Sequence, residues 1–245
     1  MDITTLLGIG ALAGMVALGV GTGELPAFFL NWHGLAIVLG GTIGAMLINT
    51  PLADVRGALA ALAVFFRGNR YSSKERIVTA IMEVAERVHG RGVSALQEVD
   101  ARAVGGYLGQ AAGVAIEYNN PDLVWQILET EINSSYDHNN EMANVYRTMS
   151  ILAPMFGLLG TLIGIVSVLR ELSNPEKVGS SMAISMTTAF YGIALANTIC
   201  VPVAGKLRSR NIEELQAKTM VAEGVVMMLR GTVPLVIERK LRSYR

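Results

Sequence analysis

The chain has 245 residues, of which 51% are hydrophobic and only 16% are charged, whereas a soluble globular domain carries about 25% charged residues. The 20 lysines and arginines balance the 20 aspartates and glutamates, and this neutrality argues against a nucleic-acid partner. The single cysteine, Cys200, excludes an intramolecular disulfide, and the three histidines have no metal-ligand spacing. The composition therefore predicts a membrane protein.

Four segments approach the roughly 20 apolar residues that a membrane-spanning helix needs. They are predicted at residues 4–21, 34–51, 149–169 and 182–205. The first two are short and rich in glycine, and they form a predicted N-terminal transmembrane hairpin over residues 1–51. No basic residue precedes the first apolar segment, so the start does not resemble a cleavable signal peptide.

Residues 52–147 are predicted to form a helical domain between the second and third spans. Ile77, Ile81, Val84 and Val88 recur at the spacing of one helix face. No strand-like alternation of any length is present, so we expect an all-α protein. The helices are expected at residues 53–66, 72–90, 93–100, 102–118 and 122–136, with another helix that restarts near residue 140 and enters the third span.

The third span carries Pro154 and a face of small residues, Gly157, Gly160 and Gly164, with Thr161 beside them. Proline removes a backbone donor, and its ring displaces a carbonyl group one turn earlier. An exposed carbonyl and a hydroxyl on neighbouring turns can coordinate a small cation or order water. The alternative is a kinked helix whose glycines serve only for packing.

The fourth span carries a stripe of small polar residues, Ser181, Ser185, Thr188 and Gly192, and ends near Pro202. A polar stripe in an apolar helix faces protein or water rather than lipid. Hydroxyl oxygens suit alkali cations or ordered water, but they cannot carry a proton alone near neutral pH. Neither long span contains aspartate or glutamate. We therefore predict that residues 148–206 form the wall of an ion path and that a partner chain brings the acidic group.

The basic residues predict the orientation of the chain. Residues 1–50 contain no lysine or arginine, whereas residues 51–147 and 206–245 contain nine each. The positive-inside rule then places both of these segments, and both termini, in the cytoplasm. We expect residues 207–245 to form a basic helix and tail, with cations near residue 206 beside anionic lipid headgroups. Beyond Pro234 we expect a solvated arm near the lipid.

The two long spans resemble a known family. The shared features are the stretch from Ala153 to Gly164 and, within residues 182–207, Thr187, Thr188, Tyr191, Gly192, Asn197 and Pro202. This pattern resembles the A subunits of flagellar stators, the MotA/PomA branch of the MotA/TolQ/ExbB proton-channel family. The resemblance covers nearly the whole chain and is strongest over residues 150–207.

The resemblance implies a motor subunit of the bacterial inner membrane rather than an enzyme, with no cofactor besides the transported H⁺ or Na⁺. It implies a homo-pentamer of A subunits around a MotB/PomB-like dimer (A5B2), whose transmembrane aspartates meet the ions. The helical domain would then turn a FliG-like rotor protein. Thr161 and Thr188 would lie nearest the ion in a sodium-driven member, and Pro154 and Pro202 would couple ion flow to motion. The implied ion-path residues are Pro154, Gly157, Thr161, Thr187, Thr188, Tyr191 and Pro202.

The rotor-binding charges depart from the family pattern. The family has a basic residue before a glycine-rich turn and a glutamate after it, and His89 and Gln97 occupy those places here. Nearby Arg87, Arg91 and Glu98 either substitute for them or form an ordinary solvated surface.

Two other functions remain open at this point. An energiser of outer-membrane processes, similar to ExbB or TolQ, is disfavoured because those relatives have three spans and lack the N-terminal hairpin. A structural scaffold would use its small-residue faces only to pack helices.

Overall fold

A computed structural model describes residues 3–22, 31–65, 73–100 and 102–244. Every regular element in these ranges is helical, which confirms the all-α prediction. The α-helices are α1 (Ile3–Gly21), α2 (Trp32–Asn49), α3 (Leu52–Phe65), α4 (Lys74–Arg91), α5 (Tyr107–Tyr118), α6 (Pro121–Arg170), α7 (Pro175–Ala194), α8 (Val201–Leu229) and α9 (Pro234–Arg242).

The chain divides into two compact units. The first comprises Met1–Gly68 and Glu141–Leu207, and the second comprises Asn69–Asn140 and Arg208–Arg245. Helix α3 therefore clusters with the predicted spans rather than with the rest of segment 52–147. The C-terminal segment 208–245 belongs to the second unit, although the sequence suggested a separate tail.

Three helical stretches of the described residues are long and apolar enough to cross a membrane. They are Trp32–Asn49, Pro121–Arg170 and Lys177–Leu229. A shorter apolar run, Leu7–Gly19, lies within α1 at the place of the first predicted span. The count of four spans and the side on which each loop lies remain predictions.

Helix α6 runs for 50 residues without interruption, so the predicted break between residues 136 and 140 is wrong. Residues around the predicted break are held by bonds to α8 within the second unit. Ser135 and Asn139 donate hydrogen bonds to the Glu214 carboxylate, and Asn211 donates to the Tyr136 carbonyl at 3.0 Å. Tertiary bonds of this kind override a weak local helix propensity.

The first unit has an apolar cluster that joins α3 to α6 and α8. Val55 and Ala58 of α3 are buried with Tyr146 of α6 and Val203 of α8. The Tyr146 hydroxyl donates a 2.8 Å hydrogen bond to the Ala58 carbonyl. This bond satisfies a buried donor. It also holds α3, the helix that follows the second predicted span, against α6.

The core of the second unit forms around α4. The predicted apolar face is confirmed, since Ile77, Ile81, Val84 and Val88 are all buried. These side chains pack with residues of α5, of the first turns of α6, of the last turns of α8 and of α9. The unit therefore buries one continuous helical core.

The solvated arm predicted beyond Pro234 is also wrong. Residues 234–242 form α9, and Ile237 and Leu241 on one of its faces are completely buried. The Lys74 ammonium donates hydrogen bonds to the carbonyls of Arg242 and Tyr244 at the end of this segment. A cation at a helix C-terminus satisfies unpaired carbonyl groups, so α9 is tied to α4 at its end as well as along its apolar face.

The segment before α5 is less helical than predicted. A 3₁₀ turn spans Val93–Glu98 and another spans Ala103–Gly106, and regular helix begins only at Tyr107. Val104, Gly105 and Gly106 have φ angles of 50°, 68° and 97°. Glycine adopts this left-handed region readily. Val104 is a β-branched residue in a conformation that costs such residues energy, and its side chain is buried.

Candidate functional site

The candidate site lies where α6 packs against α7 inside the first unit. Glycines of α6 receive the hydroxyl-bearing face of α7. A methyl group on Gly160 would lie 2.7 Å from Thr188 Cβ, and one on Gly157 would lie 2.9 Å from the Thr188 carbonyl oxygen. A methyl group on Gly164 would collide with the Ser185 hydroxyl. The glycine face and the polar stripe predicted on separate helices therefore pack directly against each other.

Gly192 gives the closest approach of the two backbones. A methyl group there would lie 2.5 Å from the Ala153 carbonyl oxygen and 3.1 Å from Pro154 Cα. The atoms that it would meet are backbone atoms, which cannot move aside as a side chain can. Pro154 therefore lies at a helix contact in which neither chain segment has room for a larger residue.

The hydroxyl groups of the site donate to backbone carbonyls. The Thr188 hydroxyl lies 3.0 Å from the Ile184 oxygen and 2.9 Å from the Ser185 oxygen. Thr187 bonds to the Ala183 oxygen at 2.9 Å in the same way. Such bonds use the hydroxyl hydrogen and leave the oxygen lone pairs as acceptors. Thr187 and Thr188 are 2% and 0% exposed, so within this unit they face protein.

Thr161 connects the two helices. Its hydroxyl lies 3.1 Å from the Gly157 oxygen on its own helix and 3.0 Å from the Ser185 oxygen on α7. The side chain is only partly buried. Thr161 is therefore a polar link between α6 and α7 whose side chain the contact does not fully enclose.

Helix α2 also contacts the α7 threonines, and the sequence did not reveal this contact. The Asn31 side-chain oxygen caps α2 by accepting from the Gly34 backbone amide, and the Asn31 backbone amide donates to the Tyr191 hydroxyl at 2.8 Å. A methyl group on Gly34 would lie 2.9 Å from Thr188 Cγ2. Thr188 is thus enclosed by glycines of α2 and α6. The available signal was an asparagine three residues before a glycine at the start of the second span.

Pro202 is accommodated by a π-helical turn. The turn spans Leu195–Cys200 between α7 and α8, and the Val201 amide bonds back to the Ala196 carbonyl. A π turn inserts one extra residue into the helical repeat, which gives a proline ring space that a regular helix lacks. The structure brings the other six predicted ion-path residues together, whereas Pro202 lies beyond them, past the π turn. Their roles in ion transport remain predictions.

The predicted rotor-contact residues do not form one surface. Arg91 makes an exposed ion pair with Glu98 at 3.2 Å, and Arg87 donates to the Glu98 carbonyl at 3.4 Å. His89, which is exposed, lines a different cavity of about 200 Å³ beside the turn after α8. Gln97 lines a separate groove along α5. The structure therefore joins the three charged residues and separates the two that occupy the family positions.

The described residues contain no group of three or more His, Cys, Asp or Glu side chains able to hold a metal ion. Residues 149–169 and 182–205 contain no acidic side chain, so what these segments can offer a cation is neutral oxygens such as those of Thr161 and Thr188. Neutral oxygens in a protein can replace the water shell of a monovalent ion. Sodium binding at these residues remains a prediction.

Comparison with known proteins matches the whole chain. A Motility protein A from Borreliella burgdorferi is 27% identical over 245 residues, covering 100% of this chain and 94% of that protein. The chemotaxis protein PomA of Vibrio alginolyticus is 27% identical, with 100% and 95% covered. The flagellar MotAB stator complex from Bacillus subtilis contains a chain of the same fold, with a TM-score of 0.86, 25% identity and 99% and 96% covered.

The family comparison matches residues 94–220, which is more than half of the chain and includes both long helices of the candidate site. Its description is that of a proton channel family, so the chain is a channel component and not an enzyme. The chain belongs to the MotA/TolQ/ExbB proton channel family.

Proposed function

We propose that this chain is the A-type, torque-generating stator subunit of a bacterial flagellar motor, which couples a flow of H⁺ or Na⁺ to rotation. The observation that carries this proposal is the likeness, over essentially the full chain, to proteins named Motility protein A and PomA and to a MotAB stator chain. The likeness includes the helices that hold Pro154 and Thr188. A family match alone would fit any relative within the wider channel family.

The chain works in a multi-subunit complex with a B-type partner, in the A5B2 arrangement. Residues 149–169 and 182–205 contain no acidic or basic side chain, so a proton or cation acceptor comes from the partner's transmembrane aspartate. A bare carboxylate is costly in the bilayer, and neutralisation by H⁺ or Na⁺ removes that cost. Each elementary charge that crosses 100 mV supplies about 2.3 kcal/mol, which drives the ring of A subunits one step round the B dimer.

The protein is a multi-pass protein of the bacterial inner membrane with both termini in the cytoplasm. The second unit lies in the cytoplasm and pushes a FliG-like rotor protein. Arg87, Arg91 and Glu98 are charged residues of α4 and its following turn that converge on one surface. We place the rotor contact there rather than at His89 or Gln97, which the structure separates from this cluster.

An ExbB/TolQ-like energiser is the second candidate, and the comparisons disfavour it. Proteins named for motility or chemotaxis match the chain from end to end. The candidate site itself does not separate the two functions, because both need an acid from a partner. The discriminating property is the rotor that the second unit engages.

Complementation of motility tests the proposal. Cells that lack their own A subunit would receive this chain with its B partner, and swimming speed would be measured. Thr188→Val retains most of the volume between Gly34 and Gly160 but removes the hydroxyl, and we expect it to abolish or strongly slow swimming. Thr219→Val is the matched control, because the Thr219 hydroxyl bonds its own helix at 2.8 Å in the second unit.

Immunoblots of the membrane fraction would establish that each variant is present in equal amount. Wild-type protein that restores no swimming, despite normal insertion with its partner, would refute the stator assignment. Normal swimming with both Thr188→Val and Pro154→Ala would instead refute the ion-path roles of these residues.

A further inference from the structure

The outward faces of the two long predicted spans are apolar with one exception. All of residues 149–169 and 182–205 lie within the described part of the chain, and their exposed hydrogen-bonding side chains are Asn197 and Thr198. On α7 the exposed stripe that leads to them consists of Met182, Met186, Phe190 and Ile193. A polar side chain at membrane depth faces protein or a water-filled cavity rather than lipid. The position of Asn197 and Thr198 therefore calls for a polar occupant.

These two residues lie in the π turn, where the backbone contributes a further oxygen. The Val201 amide bonds to the Ala196 carbonyl, five residues back. The next residue, Pro202, has no amide hydrogen. In a π-helix the residue at position 202 would donate to the Asn197 carbonyl, five residues back, and in an α-helix it would donate to the Thr198 carbonyl, four residues back. Pro202 can donate to neither. One of these two carbonyls lacks the donor that any other residue at position 202 would supply.

The Asn197 side chain is oriented by its own helix. Its amide nitrogen donates to the Ile193 carbonyl at 3.1 Å, so the amide oxygen remains available as an acceptor. Together with the Thr198 hydroxyl and the carbonyl freed by Pro202, this oxygen forms a group of neutral oxygens on two adjacent residues. Neutral amide, hydroxyl and carbonyl oxygens can replace part of the water shell of a monovalent cation. They lack the carboxylates that divalent cations favour and the positive charge that anions favour.

We propose that Asn197, Thr198 and the backbone carbonyl freed by Pro202 form a relay site for the permeating monovalent cation, Na⁺ or hydronium. The proposal rests on the proposed stator function and adds a second site to it. The relay site follows the buried threonines in the chain and precedes Lys206, the first basic residue after the fourth span. It therefore lies towards the end of the path that the positive-inside rule assigns to the cytoplasm. Weak binding by neutral oxygens suits a site that must release its ion.

The test separates ion release from helix packing by measuring rotation at two loads. At stall, torque is set by the free energy of each ion that crosses, whereas at low load the speed is set by the rates of binding and release. Cells expressing the chain with its B partner would be studied with a large bead and a small bead on the flagellum. For Asn197→Leu we expect unchanged stall torque per stator unit and a low-load speed reduced about two- to tenfold, the factor expected for one hydrogen-bond acceptor.

Ser167→Ala is the control, because it also removes a polar group that bonds its own helix in a long span, at 3.0 Å to the Ile163 oxygen. It should leave both quantities unchanged. Asn197→Gln keeps an amide oxygen and should recover part of the low-load speed. Varying external Na⁺ at constant pH, and pH at constant Na⁺, identifies the cation, because only the transported ion should alter the difference between Asn197→Leu and wild type.

If the wild-type chain rotates the flagellum and Asn197→Leu has the same low-load speed, the relay site is overturned while the stator function stands. A fall of stall torque in proportion to speed would also overturn it, because that result marks Asn197 as a contact to a neighbouring helix. Should Asn197→Leu fail to assemble, Thr198→Val provides the same comparison, and equal low-load speeds for it and wild type would count against the site. Absence of rotation with the wild-type chain would refute the proposed function itself.

Discussion

Replacing Gly192 by alanine tests the closest backbone contact of the candidate site. The added methyl carbon would lie 2.5 Å from the Ala153 carbonyl oxygen, about 0.8 Å closer than the ~3.3 Å of a close C···O contact. It would also lie 3.1 Å from the α carbons of Gly157 and Pro154. No rotamer change relieves these collisions because all three partners belong to the backbone. The two helices must separate locally, which weakens the packing around Thr188.

The expected cost follows from overpacking at a tight contact, about 1–3 kcal/mol. For a chain of this size each kcal/mol lowers the apparent melting temperature by about 2–4 °C. We therefore expect Gly192→Ala to lower it by about 2–12 °C. Gly205→Ala is the matched control, because a methyl group there meets no atom within 4 Å. Alanine at such an open helical position is favoured over glycine by up to ~1 kcal/mol.

Thermal unfolding of the detergent-solubilised complex at one fixed heating rate measures both variants. A fixed rate is needed because unfolding of such complexes is commonly irreversible. Equal melting temperatures for Gly192→Ala and Gly205→Ala would refute the inference that the α6 and α7 backbones are in contact at Gly192.

Three further predictions concern the second unit. Ile237→Ala should cost about 2–5 kcal/mol because the side chain is 0% exposed, whereas Leu235→Ala, at 72% exposed, should be nearly neutral in a thermal unfolding assay. Burial, together with the hydrogen bond to Glu223, raises the pKa of Tyr244. The folded state therefore holds the phenol proton more tightly than the unfolded state does. This contribution to stability is intact below the unfolded pKa near 10 and is lost as the pH rises above it. A pH series of melting temperatures should show a larger loss in wild type than in Tyr244→Phe, in which the buried Tyr146, whose pKa burial raises to about 12, still contributes. Arg91→Ala should change the free energy of unfolding by less than ~1 kcal/mol because its ion pair with Glu98 is exposed. A loss of swimming in this variant would therefore report on the rotor contact, and normal swimming would contradict that contact.

The sequence predicted the features that depend on local periodicity. The apolar face of α4 and the three long apolar stretches were predicted because hydrophobic spacing and the length of an apolar run determine them. The glycine face of α6 was also predicted, since Gly157, Gly160 and Gly164 repeat at helical spacing. What no local pattern could give was the partner of that face, which is the hydroxyl stripe of α7 in the same chain.

The errors have a common physical origin in contacts between distant residues. The sequence predicted a break between residues 136 and 140, yet Ser135 and Asn139 bond Glu214 of α8 and α6 is continuous there. Ile237 and Leu241 look like isolated apolar residues in a basic tail, yet four residues apart they share one face of a short helix. Their burial against α4 then stabilises that helix, which is too short to be stable alone.

The hydrogen-bond directions at the site limit how it can meet a partner's carboxyl group. Thr161 and Thr188 donate their hydroxyl hydrogens to backbone carbonyls, so their oxygens are left as acceptors. An ionised aspartate needs donors, whereas a protonated or cation-bound aspartate can be met by acceptors. The wall should therefore favour the neutralised form of the partner.

Thr161→Val tests this preference because it removes the partly exposed acceptor while keeping a similar volume. In this variant the neutralised form of the partner's aspartate should be less stable. Half-maximal speed should then require a concentration of the driving cation about two- to tenfold higher, the factor expected for one hydrogen bond. Swimming speed measured against external Na⁺ and against pH gives this half-maximal concentration. An unchanged value with a reduced maximum would refute the preference, because it would show that Thr161 acts only by holding α6 to α7.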